Sequence, residues 1–167
     1  MSRGFVKEGD QEETPLVTPR AHLPAGVLNY VTPNGLKELE HERNLLVEER
    51  KTLIEQDSEN NRVQINYITA KLGLLEERIS SAKLVELSNQ PQNKVYFGAT
   101  ITLYKTKEDC ESQYQIVGVD EADVSKNKVS FLSPIAKALI NKKVGDEIIL
   151  QTPKGKRFMK IEAIDYK

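Results

Sequence analysis

Between residues 32 and 82 the apolar side chains recur three or four positions apart. Leu36, Leu39, Leu46 and Leu53 lie on one stripe, with Arg43 and Arg50 taking the places where the seam skips an apolar residue. Ile65, Ile68, Leu72, Leu75, Ile79 and Ala82 form a second and cleaner seam of alternating spacing. Thr32-Pro33 reads as a helix start, because Thr caps well and Pro fits the first position, where its missing N–H costs nothing. Asn89-Gln90-Pro91 reads as the stop. Between the seams, residues 56–61 (Gln-Asp-Ser-Glu-Asn-Asn) are rich in turn and capping types. The pattern predicts an antiparallel α-helical hairpin over residues 31–90, a short intramolecular coiled coil with arms of roughly 24 residues, about 36 Å each. Pairing between separate chains is the competing arrangement, and the turn chemistry at the midpoint speaks against it.

From residue 94 the period changes. Residues 95–103, 114–119, 128–132, 147–151 and 157–164 alternate or are enriched in β-branched and aromatic types, punctuated by Gly98, Gly118, Gly145 and Gly155. Ser133-Pro134 opens a short helix to Ile140, with Ile135, Ala138 and Leu139 expected to face inward. Residues 91–167 are therefore expected to form a small twisted antiparallel sheet with one helix on it, making the chain α+β. Residues 1–30 carry Pro15, Pro19, Pro24 and several glycines with no helical or strand period, and are expected to be a flexible tail. The other reading is a segment that folds on a partner through Phe5, Val6 and Leu16.

The 167 residues leave no room for a large enzyme core, and the net charge of -1 hides an uneven spread. Residues 1–32, 33–93 and 94–167 carry about -1, about -3 and about +3, too mild for a strongly basic nucleic-acid binder. Cys110 stands alone among acids on an expected loop, so no internal disulfide forms and its thiolate is disfavoured. His22 and His41 lack partners at zinc-ligand spacing. No apolar run reaches membrane-spanning length, and a cytoplasmic monomer is expected.

No phosphate loop, nucleophile elbow or HExxH is found, and Phe97, Tyr104 and Tyr114 read as core or strand-surface aromatics. The hairpin tip is the exception. Glu55, Asp57 and Glu59 lie within five residues, with no basic residue between Lys51 and Arg62. Carboxylates on a tight turn can converge on a hard cation such as Mg²⁺, here by completing a site in another protein. The same residues also suit the start of the second helix, where acids favour the dipole and Asp57 or Ser58 can cap.

Four stretches, residues 95–103 (VYFGATITL), 116–123 (IVGVDEAD), 133–140 (SPIAKALI) and 144–146 (VGD), resemble the bacterial GreA/GreB transcript cleavage factors in order and spacing. Thr32-Pro33-Asn34-Gly35-Leu36 is similar to that family's hairpin start, and residues 81–85 to its exit. The resemblance implies an FKBP-like C-terminal domain that docks on RNA polymerase, and a coiled coil that enters the secondary channel toward the catalytic Mg²⁺. It implies an accessory factor, not an enzyme, that stimulates the polymerase's own cleavage of backtracked RNA and acts in transcription on DNA. Nascent RNA is then met only through the polymerase. Asp57 and Glu59 would be the catalytic pair, sharing Mg²⁺ with the polymerase; the factor alone would bind no cofactor. Asp120, Glu121, Asp123, Ser133 and Pro134 would form the docking surface. The family tip is Gly-Asp-x-Ser-Glu-Asn; here Glu59 matches, but Gln56 stands where the Asp would be. Both arms are also shorter than is usual for the family, which suits the alternative of a non-cleaving regulator that occupies the channel. Residues 1–30 lie outside the resemblance.

Overall fold

The computed structural model describes residues 15–56 and 59–167. In chain order it runs β1 (Asn29–Val31), α1 (Pro33–Glu55), a 3₁₀ turn (Glu59–Asn61), α2 (Arg62–Ser80), β2 (Ala82–Leu84), β3 (Thr100–Lys105), β4 (Cys110–Val117), β5 (Lys128–Ser130), α3 (Pro134–Leu139), β6 (Glu147–Thr152) and β7 (Gly155–Asp165). The class is α+β. Among the described residues no helix is long and apolar enough to cross a membrane.

The Thr32 side chain caps α1 by accepting the Gly35 N–H at 2.9 Å, and Pro33 takes the first helical position. Val31, Leu39, Leu46, Ile68, Leu72 and Leu75 form one shared core, with Leu36, Leu53, Ile79 and Ala82 at its margins. The helices run in opposite directions: Asn61 bonds back to Leu53, and Arg43 lies 3.9 Å from Glu76. Arg43 and Arg50 are half-buried, as expected of cations that lay their stems on a seam. The helices span 23 and 19 residues, about 34 and about 28 Å. The second arm stops well short of Pro91. After Ser80 the chain leaves the helix and pairs in parallel with β1, Asn29 opposite Ala82 and Val31 opposite Leu84. That strand pairing ends α2, and local helix propensity does not announce it.

The second core belongs to a five-stranded sheet ordered β5-β4-β3-β7-β6. Val95, Ala99, Ile101, Leu103, Ile116, Ala136, Leu139, Ile148, Met159 and Ile161 are buried in it. Most strand pairs are antiparallel, but β4 and β5 are parallel, because the chain crosses over between Val117 and Lys128 instead of turning back directly. β3 starts at Thr100, so residues 95–99 lead into the strand and are not part of it. α3 has the predicted Ser133 cap, with the hydroxyl accepting the Ala136 N–H at 3.3 Å. Its fully buried residues are Ala136 and Leu139, while Ile135 and Ala138 only flank the core. Cys110 is exposed at the first position of β4.

Residues 15–31 are not separate from the rest of the fold. β1 completes the helix pair, and Arg20 and Ala21 make polar contacts with it. The period that would mark a helix or strand is absent there because the segment is held by side chains and by a three-residue ladder. Phe5 and Val6 lie outside the described residues.

Candidate functional site

At the end of the helix pair, Glu55 closes α1 and Glu59 opens the 3₁₀ turn; both are exposed. The Gln56 N–H donates to Thr52 O at 3.1 Å and so continues the helix by one residue. Asn61 Nδ2 donates to Leu53 O at 3.1 Å and makes a longer contact of 3.4 Å with Gln56 Oε1. Both amides are therefore used to join the arms. Asp57 and Ser58 lie outside the described residues. Ile54 and Val63 flank the acids and are exposed at 55% and 78%. Heptad counting does not single them out, since both fall off the seam.

Among the described residues no three His, Cys, Asp or Glu side chains form a group that could hold a metal ion. Glu55 and Glu59 offer the hard oxygens that Mg²⁺ takes, but not enough of them to hold it. The tip fits as a source of one or two ligands for an ion held elsewhere.

The expected docking residues divide into two groups. Asp120 and Glu121 are not free surface; they join the sheet domain to the helix pair. Glu121 is 6% exposed. Its Oε2 accepts from Thr32 Oγ1 at 2.5 Å, and its Oε1 accepts from Asn34 Nδ2 at 3.1 Å and Lys128 Nζ at 2.9 Å. Gly35 makes room for this approach: a Cβ there would lie 2.6 Å from Glu121 Oε2 and would displace the carboxylate from its bonds. Asp120 Oδ1 accepts from Arg20 Nε at 2.8 Å. Its Oδ2 lies 3.0 Å from Arg78 Nε, an ion contact without hydrogen-bond alignment. Burial works against the Arg20 charge, but the bonds it donates to Glu42 and Asp120 outweigh it and raise its pKa above the usual arginine value. Tyr30, Phe97 and Phe131 close the junction, with ring centroids 5.7 to 5.8 Å apart. Single residues in the sequence give no sign of this junction, because the contacts that cross it join residues distant along the chain.

The second group remains accessible. Asp123 and Ser133 sit at either end of β5, tied to it by the Asp123–Lys128 bridge and by Ser133 N to Ser130 O at 2.9 Å. Asp123 Oδ1 accepts from Ser125 Oγ at 2.6 Å and Ser125 N at 2.9 Å. These bonds hold its carboxyl below the usual carboxylate range. Pro134 is exposed, and Val124 beside Asp123 is 90% exposed. The accessible surface is therefore an acid, an exposed apolar residue and a rigid Ser-Pro turn.

Residues 90–166 match the family described as transcription elongation factor, GreA/GreB, C-term. Transcription elongation factor GreA of Francisella philomiragia is 44% identical over 101 residues, and that of Francisella tularensis subsp. novicida 42% over the same length. Each match covers 60% of this chain and 63% of the relative, so the chain matches less than two thirds of either relative's length. Among solved structures, GreA factor homolog 1 of Thermus thermophilus is 25% identical, with a TM-score of 0.39 over 81% of this chain and 97% of that one. The GreA/GreB factor from Nitrosomonas europaea is 22% identical, with a TM-score of 0.42 over 82% and 98%.

Proposed function

We propose, from the match of residues 90–166 to the C-terminal part of the GreA/GreB transcription elongation factors, that this chain is a factor of that kind, binds RNA polymerase and stimulates cleavage of backtracked RNA. The family match over the sheet domain carries the reading. In it, the sheet domain is an FKBP-like docking module and the helix pair is a coiled-coil hairpin that enters the secondary channel. The factor acts as a cytoplasmic monomer and is not itself an enzyme.

Docking is assigned to Asp123, Ser133 and Pro134, with exposed Val124 beside them. Asp120 and Glu121, expected in the same role, are committed to the junction and act by holding the helix pair in place. The tip presents Glu59 and, from the sequence, Asp57 as the catalytic and metal-contacting pair. Exposed Ile54 and Val63 suit a tip that slides between protein walls. Mg²⁺ held by the polymerase would supply charge stabilisation and an activated water; the chain's part is to add carboxylate oxygens and charge beside it.

The test is a purified polymerase stalled in a backtracked complex. Addition of the protein is expected to release short 3′ RNA fragments, and Asp57→Ala with Glu59→Ala to abolish release while binding persists. Binding with no release from the native chain would replace this reading by that of a non-cleaving channel occupant, and absence of binding would sink both.

A further inference from the structure

We propose that residues 15–31 are a strap that sets the angle between the helix pair and the sheet domain, and that Arg20 is its positioning residue. The consequence for cleavage rests on the function proposed above; the strap itself does not.

Among the described residues, two polar links tie α1 itself to the sheet domain across the junction. One is Glu121, which holds the start of α1 through Thr32 and Asn34. An attachment at one end of a rod is a pivot, and by itself it leaves the tilt of the rod free. The other is Arg20. Its Nη1 and Nη2 donate to both oxygens of Glu42 at 2.9 and 3.0 Å, while its Nε donates to Asp120 Oδ1 at 2.8 Å. Glu42 lies ten residues beyond Thr32 in α1, about 15 Å along the axis. One guanidinium therefore ties the middle of α1 to the sheet domain at a distance from the pivot, and two separated attachments fix a direction where one does not.

The strap is anchored independently at its other end. The Asn29 side chain, 3% exposed, donates to Arg78 O at 2.9 Å and Ser81 Oγ at 3.2 Å, and β1 pairs with β2. Arg78 Nη2 in turn donates to Ala21 O at 2.6 Å. The backbone around Arg20 is thus held against α2 while its side chain reaches α1 and Asp120. Arg78 also meets Asp120, but it lies in the last turn of α2, beside the pivot, and has little leverage on tilt. Arg20 and Asp120 are mostly buried, with side chains 20% and 8% exposed, so solvent and salt screen this link less than a surface pair. A lysine cannot reproduce it, because the bidentate grip on Glu42 and the bond to Asp120 need three N–H groups held in a rigid plane.

The experiment uses the full chain with Cys110→Ser and spin labels at Lys51→Cys in α1 and Val144→Cys in the sheet domain. The native sequence is expected to give one narrow distance distribution. Arg20→Met is expected to broaden or shift it with the far-UV helix signal unchanged, and Arg20→Lys to restore it only in part. An Arg20→Met distribution that superimposes on the native one overturns the strap. Should Arg20→Met lose its helix signal, Glu42→Gln, which leaves the Asp120 bond in place, becomes the deciding variant under the same criterion. On backtracked polymerase, Arg20→Met should lower the cleavage rate at saturating factor by about ten- to a hundred-fold. The half-saturating concentration should barely move, since the docking face is untouched. Distances need no polymerase, so a strap that responds in a protein that never stimulates cleavage would count against the proposed function alone.

Discussion

Thr32 Oγ1 accepts the Gly35 N–H at 2.9 Å and donates its own proton to Glu121 Oε2 at 2.5 Å. Replacing it with Val removes a helix cap, about 1 kcal/mol, and also takes a donor from a buried carboxylate, about 1.5–3 kcal/mol. Thr32→Val should therefore lower stability by more than about 2 kcal/mol, and Thr32→Ser should recover most of it. Urea unfolding of both variants checks this; a Val variant as stable as the native chain would contradict it. Asp123 makes a different kind of statement. Bonds from the Ser125 hydroxyl and amide depress its pKa below 3.8 in the folded state. A depressed carboxylate contributes stability that is fully present above its unfolded pKa and is lost as pH falls through the folded one. The bonds from Ser125 to Asp123 should thus persist to pH values below the ordinary aspartate range. Carboxyl NMR should place the Asp123 midpoint below an ordinary aspartate, and Ser125→Ala should move it upward.

Among elements, the helix pair is the one whose sequence states its own packing. Leu39, Leu46, Ile68, Leu72 and Leu75 were assigned to the seam by spacing alone, and all five are buried. Leu75 is fully buried, so Leu75→Ala should cost about 2–5 kcal/mol by transfer and cavity formation. Val63, at the start of the same helix, is 78% exposed, and Val63→Ala should stay within about 0.5 kcal/mol of the native chain. The two midpoints, followed by circular dichroism, should separate accordingly; equal losses would mean the arms do not share the core described. The sheet was legible in its members and less so in its connections. Five strands were expected and five are present, but the parallel β4–β5 pair depends on a crossover that alternation cannot encode. Likewise α2 ends where β2 meets β1, a partner more than fifty residues earlier in the chain.

For the molecule as a whole, the close approach at Gly118 is decisive. A Cβ there would lie 2.5 Å from Tyr30 O, a backbone atom of the strand that completes the helix pair. Gly118→Ala should force the two parts to separate locally, at about 1–3 kcal/mol by the usual cost of overpacking. Its signature would be faster amide exchange at Val85, whose N–H donates to Val31 O at 3.0 Å, with little change in the sheet core. Unchanged exchange there would show that the junction absorbs the methyl elsewhere. The candidate site was only partly legible for the same reason. Asp120 and Glu121 have the charge expected of docking residues, and only burial against Arg20, Thr32 and Lys128 separates them from Asp123.

The sequence by itself determined the α+β class, the two helical seams, the caps at Thr32 and Ser133, and the resemblance to GreA/GreB factors. Those features are written in spacing, turn chemistry and short local motifs, which act over a few residues. The tertiary structure alone decided that residues 15–31 cross the junction, that α2 stops at Ser80, and that Asp120 and Glu121 are bonded into the junction while nearby Asp123 stays partly exposed. Each of these depends on a partner distant in sequence, such as Arg20 meeting Asp120, and no local pattern specifies which distant charge a buried side chain will meet.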